Sequence, residues 1–210
     1  MPYPKDHKAK SKDRILQSAT DLFCRYGFDK VSINQVMKLA KMTPGAFYAH
    51  FESKEALYKA SFKEALQRSK ATRLMKGPFS IQHLSELVTG YLNLGNLNKT
   101  PAPSPEAFLA NDIASDNIEI KKLYEQSYMG LIKLLETRLT ALNKLKNSTL
   151  SLSPASIPDR ARVILAAMIG AIAISKSITQ EDEKQAILAA TQEQIFGLLN
   201  INSGNEGLSS

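Results

Sequence analysis

Three side chains that can hold an anion stand close together: Tyr48, His50 and Lys54. A phenol and an imidazole can donate hydrogen bonds to phosphate oxygens, and an ammonium adds charge. Lys54 follows Ser53, a residue type that caps helices. It would lie in a first turn, where the helix dipole already favours an anion. Phe47 and Phe51 are four apart and pack inward, so Tyr48 and His50 fall on another face. Other chemistry is thin. His83 and Glu86 are one helical turn apart, a histidine and an acid without a third partner. No G-x-S-x-G, P-loop or dinucleotide fingerprint is present, so an enzyme is not expected. A small helical enzyme using His83 is the rival from that class. No Cys, His or acidic residue flanks His50 at ligand spacing, so neither a metal site nor a cofactor is expected. Cys24 is the single cysteine, which excludes an intramolecular disulfide; a buried structural thiol is its simplest reading.

Charge is unevenly placed along the 210 residues. Residues 1–76 carry a net charge of +9 and residues 77–210 carry −2, giving the total of +7. A basic first third suits a polyanion, nucleic acid first and an anionic membrane second. It suits a scaffold for protein partners poorly. The first residues, MPYPKDHKAKSKDR, lack the apolar centre of a signal peptide. The longest apolar run, Val163–Ile174, falls short of the roughly 20 residues of a membrane span. A cytoplasmic protein with no membrane partner is expected.

Periodicity supplies the elements that position these groups. Residues 1–10 are predicted to form a flexible basic arm. Ser11–Tyr26 reads as a helix with Ile15, Ala19, Leu22, Phe23 and Tyr26 on one stripe, closed by Gly27 as a C′ residue. Ser32–Ala40 reads as a second helix, with Ser32 and Gln35 forming a capping box. Lys41–Met42 is a tight turn. Thr43 then caps a short helix with Pro44 at its first position. Helix, short turn and short helix make the spacing of a helix-turn-helix. Further helices are predicted over 53–76, 80–95, 106–115, 117–147, 159–178 and 181–200, with loops at 95–105 and 148–158 and a disordered tail at 201–210. No segment reads as a convincing strand, so the fold class is all-α.

The string from Thr43 through Gly45-Ala46-Phe47-Tyr48, His50-Phe51 and Ser53-Lys54-Glu55 to Leu57 resembles the DNA-binding domain of the tetracycline-repressor (TetR) family. So do Ile15, Ala19, Leu22, Phe23, Gly27, Phe28, Ser32 and Ile33 before it. The resemblance covers residues 11–60. It implies a helix-turn-helix DNA-binding domain at 11–58 and a helical regulatory and dimerisation domain at 59–200. DNA contacts would fall to Ser32, Asn34 and Gln35, to Thr43, Pro44, Gly45, Ala46, Tyr48, Ala49 and His50, and to Lys54. Of these, Ser32, Tyr48, His50 and Lys54 suit phosphate. Thr43, Pro44, Gly45, Ala46 and Ala49 suit base edges and thymine methyls. Two positions depart from the family pattern: Lys41 replaces a frequent Gly and Met37 a small Ala. Lys41 would then take an unusual backbone angle, costing about 1 kcal/mol. The resemblance further implies a homodimer through the last two helices, about 159–200, bound to double-stranded DNA at an inverted-repeat operator. A small-molecule inducer would bind in the second domain; Tyr91, Phe108, Tyr124 and Tyr128 are the candidates, which points to an apolar or aromatic ligand. A ligand-released repressor is the expected function; an activator or a low-specificity DNA binder is the alternative.

Overall fold

The computed structural model describes residues 5–68, 78, 80–93, 105–145, 150 and 152–201. All regular structure among them is helical. In chain order the α-helices are α1 (Lys5–Lys30), α2 (Ile33–Leu39), α3 (Lys54–Arg68), α4 (Ile81–Tyr91), α5 (Pro105–Asp112), α6 (Ile118–Asn143), α7 (Ile157–Ser177) and α8 (Glu181–Leu198). Pro44–Ala49 and Pro154–Ser156 are short 3₁₀ helices. Residues 1–4 of the predicted arm, the extension of α3 to residue 76, residues 95–104 of the first predicted loop, residues 148, 149 and 151 of the second, and the tail after 201 lie outside the described residues. Within the predicted loop at 148–158, Pro154–Ser156 is a 3₁₀ turn and α7 has already begun at Ile157.

Two corrections concern α1. It begins at Lys5, ahead of the predicted Ser11, so residues 5–10 are helix rather than a flexible arm. No Gly or Pro lies between Lys5 and Gly27 to stop it. At its other end Gly27 has φ 77° and ψ 175°, a kink after which another helical turn runs to Lys30. The positive φ requires glycine as expected, but the extended ψ makes this a bend and not a left-handed C′ stop.

The chain divides into two compact units. Residues 1–69 with 101–126 form the first and residues 70–100 with 127–210 the second. The first unit's core contains Phe23 of α1, Val36 and Met37 of α2, Phe47, and Leu57, Tyr58 and Phe62 of α3. Phe108 of α5 and Ile120 of α6 complete it from more than forty residues further along the chain.

In the second unit Leu84 and Val88 of α4, Leu139 of α6, Ile164 and Met168 of α7, and Leu188 and Ile195 of α8 share one apolar core. Ser80 caps α4, its Oγ accepting from His83 N at 3.1 Å. Asn143 closes α6 against the following chain: Nδ2 donates to Leu152 O at 2.8 Å and Oδ1 accepts from Leu152 N at 2.9 Å. Arg138 is buried and donates to the Pro78 carbonyl. Helix α7 is apolar on a further side as well. Val163 and Ile174 are each 51% exposed. Ala166 and Gly170 lie on the same stripe at helical spacing, and nothing stands within 4 Å of the position a Cβ would take on Gly170.

Candidate nucleic-acid interface

Helix α2 is held at both ends. Ser32 N and Oγ donate to Gln35 Oε1 at 2.7 and 3.0 Å, and Gln35 N donates to Ser32 Oγ at 3.2 Å, so the predicted capping box is formed. The Gln35 amide oxygen is committed to the cap, which leaves the Nε2 donors for another partner. At the C-terminus Lys41 N donates to Lys38 O at 3.1 Å and Met42 N to Met37 O at 2.9 Å. These two bonds make a Schellman turn with Lys41 at C′. Its φ is 55°, the left-handed value expected where a glycine is common. Arg14 of α1 donates to the same end of the helix, at Ala40 O, 2.5 Å away. Met37 is fully buried between the helices, so its length is absorbed by the core.

The segment after the turn differs from the prediction in detail. Pro44–Ala49 is 3₁₀ helix, and the Thr43 side chain makes no capping bond. The Thr43 carbonyl instead accepts from Ala46 N at 3.0 Å, the three-residue closure of a 3₁₀ turn. Pro44, at the first helical position, has no N–H to leave unpaired. Phe47 and Phe51 are buried and stacked, 6.0 Å between centroids, as the four-residue spacing requires. Tyr48 meets the Phe47 ring edge-on yet remains 70% exposed. Thr43, Pro44, Gly45 and Ala49 are also exposed, and Ala46 is half-buried. The residues presented outward are therefore small except for Tyr48, and their polar groups are the Thr43 hydroxyl and the Tyr48 phenol.

Helix α3 starts where Ser53 Oγ accepts from Ala56 N at 3.1 Å, with Lys54 as its first residue. An open recess of about 480 Å³ collects Ser32, Asn34, Pro44, Tyr48 and Lys54. Lys30 lines it too, a cation not singled out in the sequence because nothing in its neighbourhood marks it there. Lys54 is partly desolvated, which lowers its pKa; the carboxylates of Asp29, Glu55 and Asp112 pull the other way. His50 lies apart from this recess. Burial, then Lys8 and Lys12, hold its imidazole below the usual histidine range. Lys12 Nζ stands 5.6 Å from the Phe51 ring centroid. The four predicted phosphate ligands thus divide into a recess group, Ser32, Tyr48 and Lys54, and a second group of His50 beside the basic start of α1.

Behind the recess lies a buried polar cluster that sequence patterns do not mark. Asp112, the last residue of α5, accepts from Phe28 N at 2.8 Å and from the Tyr58 hydroxyl. The Tyr58 and Tyr124 hydroxyls are 2.8 Å apart. Burial raises both phenol pKa values well above the ordinary tyrosine range. Asn111 Nδ2 donates to Cys24 O at 2.7 Å, beside the kink at Gly27. Cys24 is buried, as expected. Of the four ligand-binding candidates, Phe108 and Tyr124 lie in the first unit, and both rings meet Phe62 edge-on. Tyr91 packs against the core of the second unit, where Tyr128 is 39% exposed.

Two helices joined by a Schellman turn, with a buried hydrophobic brace and an outward face beside a basic recess, are a helix-turn-helix domain of the DNA-binding kind. Residues 15–61 match the family model for bacterial regulatory proteins, tetR family. Among curated relatives, the HTH-type transcriptional repressor Rv1474c of Mycobacterium tuberculosis is 33% identical over 72 residues, 34% of this chain and 38% of that protein. The transposon Tn10 TetC protein of Escherichia coli is 27% identical over 137 residues, 63% of this chain and 66% of that protein. The chain thus spans less than two thirds of either relative. The crystal structure of reduced E. coli NemR has the same fold, with a TM-score of 0.74 at 19% identity, covering 90% of this chain and 98% of that one.

Proposed function

We propose that the protein is a sequence-specific transcriptional regulator, a homodimeric repressor released from an inverted-repeat operator by a small apolar or aromatic ligand. The observation that carries it is the gathering of Ser32, Asn34, Tyr48 and Lys54 round one open recess, next to the exposed Gly45 and Ala49. The recess group positions the phosphate backbone while Thr43, Pro44, Gly45, Ala46 and Ala49 meet base edges; Asn34 and the Gln35 Nε2 reach either. His50, with Lys8 and Lys12 adding charge, makes a separate backbone contact. Residues 59–200 serve ligand binding and dimerisation, with Tyr91, Phe108, Tyr124 and Tyr128 as candidate ligand neighbours.

The dimer reading rests on α7. Its outward stripe of Val163, Ala166, Gly170 and Ile174 is apolar, exposed except for the half-buried Gly170, and α8 offers the small exposed residues Ala189, Ala190 and Gly197. Helices with small residues at the contact approach closely, and two from each chain would form a four-helix interface. A two-fold dimer in turn calls for a palindromic site.

Selection of bound duplexes from random DNA, followed by footprinting, tests the function. A protected inverted repeat is expected, and release from it by a small molecule completes the reading. Uniform coverage without a preferred site would replace it with low-specificity binding. Sedimentation of Val163→Glu/Ile174→Glu tests the interface: the wild type should be a dimer and the variant a folded monomer.

A further inference from the structure

Lys54 is held more closely than a surface phosphate contact needs to be. Its Nζ lies 4.2 Å from the Phe28 ring centroid, within cation–π range. The ring is itself fixed by its neighbours. It stacks on Phe23 with centroids 6.2 Å apart and meets the edge of Tyr58 at 5.3 Å and 87°. The backbone beneath it is fixed as well, because Phe28 N donates to Asp112 Oδ1 at 2.8 Å. The other oxygen of the same carboxylate takes the hydroxyl of Tyr58, which stands one turn after Lys54 on α3. A single buried carboxylate thus ties together the backbone that carries the ring and the helix that carries the ammonium. Asp112 lies outside residues 15–61, the part matched to the DNA-binding family.

We propose that Phe28 and Asp112 are positioning residues for Lys54, fixing its ammonium at the recess where a DNA phosphate binds. The proposal rests on the reading of Lys54 as a phosphate contact. A lysine on a four-carbon stem loses much rotamer freedom when it is fixed by its ligand alone. A ring face that already holds the ammonium reduces that loss at the moment of binding. Partial burial of the ammonium weakens the competition from water, while the fields of Asp29, Glu55 and Asp112 favour the charged form.

The test is a double-mutant cycle on the full chain, read by fluorescence anisotropy with a short mixed-sequence duplex at low salt. Such a probe is sufficient because phosphate contacts are independent of sequence. Phe28→Leu should weaken binding about two- to five-fold, the size of a cation–π contact at an exposed site. Lys54→Ala should weaken it more, and the double variant should bind no worse than Lys54→Ala alone. Circular dichroism checks the fold. Should Phe28→Leu not fold, Asp112→Asn carries the same cycle, since its carbonyl still accepts from Phe28 N while its amide no longer accepts from Tyr58. An equal loss in both backgrounds would mean that Phe28 only supports the fold, and overturns the positioning role alone. Lys54→Ala binding like the wild type overturns the phosphate role of Lys54 and this proposal with it. A wild type without affinity for duplex removes the DNA-binding reading itself.

Discussion

Gly27→Ala is expected to be among the most damaging single-methyl changes in the molecule. At φ 77° and ψ 175° the residue occupies a region that side-chain-bearing residues avoid, at a cost of about 1–3 kcal/mol. Space is also closed. A Cβ would lie 2.9 Å from Asp112 Oδ1, 3.1 Å from the Asn111 carbonyl oxygen and 3.2 Å from Asn111 Cβ. Two of these belong to side chains, but both side chains are held: Asp112 by Phe28 N and Tyr58, and Asn111 by Cys24 O. Relieving the clash by moving α5 lengthens the 2.8 Å bond from Phe28 N to Asp112, and a hydrogen bond to a carboxylate contributes about 1.5–3 kcal/mol. Together the loss should be roughly 2.5–6 kcal/mol, a large part of a domain's stability of about 5–15 kcal/mol. Urea denaturation at one fixed protein concentration measures it as a fall in midpoint at unchanged slope. Gly45→Ala is the control, because nothing stands within 4 Å of its Cβ position and the segment is exposed. It should leave stability within about 0.5 kcal/mol of the wild type. If Gly27→Ala were equally silent, neither the backbone requirement nor the close approach of α5 would be real constraints.

Lys41→Gly should stabilise the fold by roughly 0.5–1 kcal/mol in the same denaturation assay, since relief of a left-handed lysine outweighs the added freedom of the unfolded chain. An unchanged or lower midpoint would contradict it. Lys54→Ala should weaken operator and mixed-sequence DNA alike and make the slope of log affinity against log salt shallower by about one for each Lys54–phosphate pair removed; a loss confined to one operator base would contradict a phosphate role. Alkaline pH should unfold the protein in a predictable window. Tyr58 and Tyr124 have raised pKa values when folded, so their contribution is fully present below the unfolded value of about 10 and falls as pH rises above it. Stability measured against pH should therefore decline above about 10, and Tyr58→Phe should make the decline shallower; an identical decline in the variant would place the linkage elsewhere.

What the sequence made legible was local. The Ser32–Gln35 box, the Ser53 cap, the inward pair Phe47 and Phe51, and the strained Lys41 all depend on residues within a few positions of each other. Their residue types have few alternative uses, so spacing alone identifies them. Thr43 misled because a good capping residue does not guarantee a cap when the next turn is 3₁₀. The early start of α1 was missed because charged residues favour solvent in both a helix and a free arm. Asp112 was invisible for a different reason. An aspartate that ends a short helix looks like any polar terminus, and its partners Phe28 and Tyr58 lie 84 and 54 residues away.

That distance bears on where the DNA-binding domain ends physically. The matched segment stops at residue 61, but the compact unit also includes residues 101–126. Phe108 is fully buried against Tyr58 and Phe62, and Ile120 is nearly so. Packing of this kind removes apolar surface of the helix-turn-helix from water, at about 25 cal/mol per Å² of area covered. Asp112 adds direction to that burial, because its two oxygens accept from groups on α1 and α3 at once. Burial alone would let α5 slide on an apolar surface; a bidentate buried carboxylate permits one register. The same carboxylate joins α5 to the backbone of Phe28, whose ring centroid lies 4.2 Å from Lys54 Nζ.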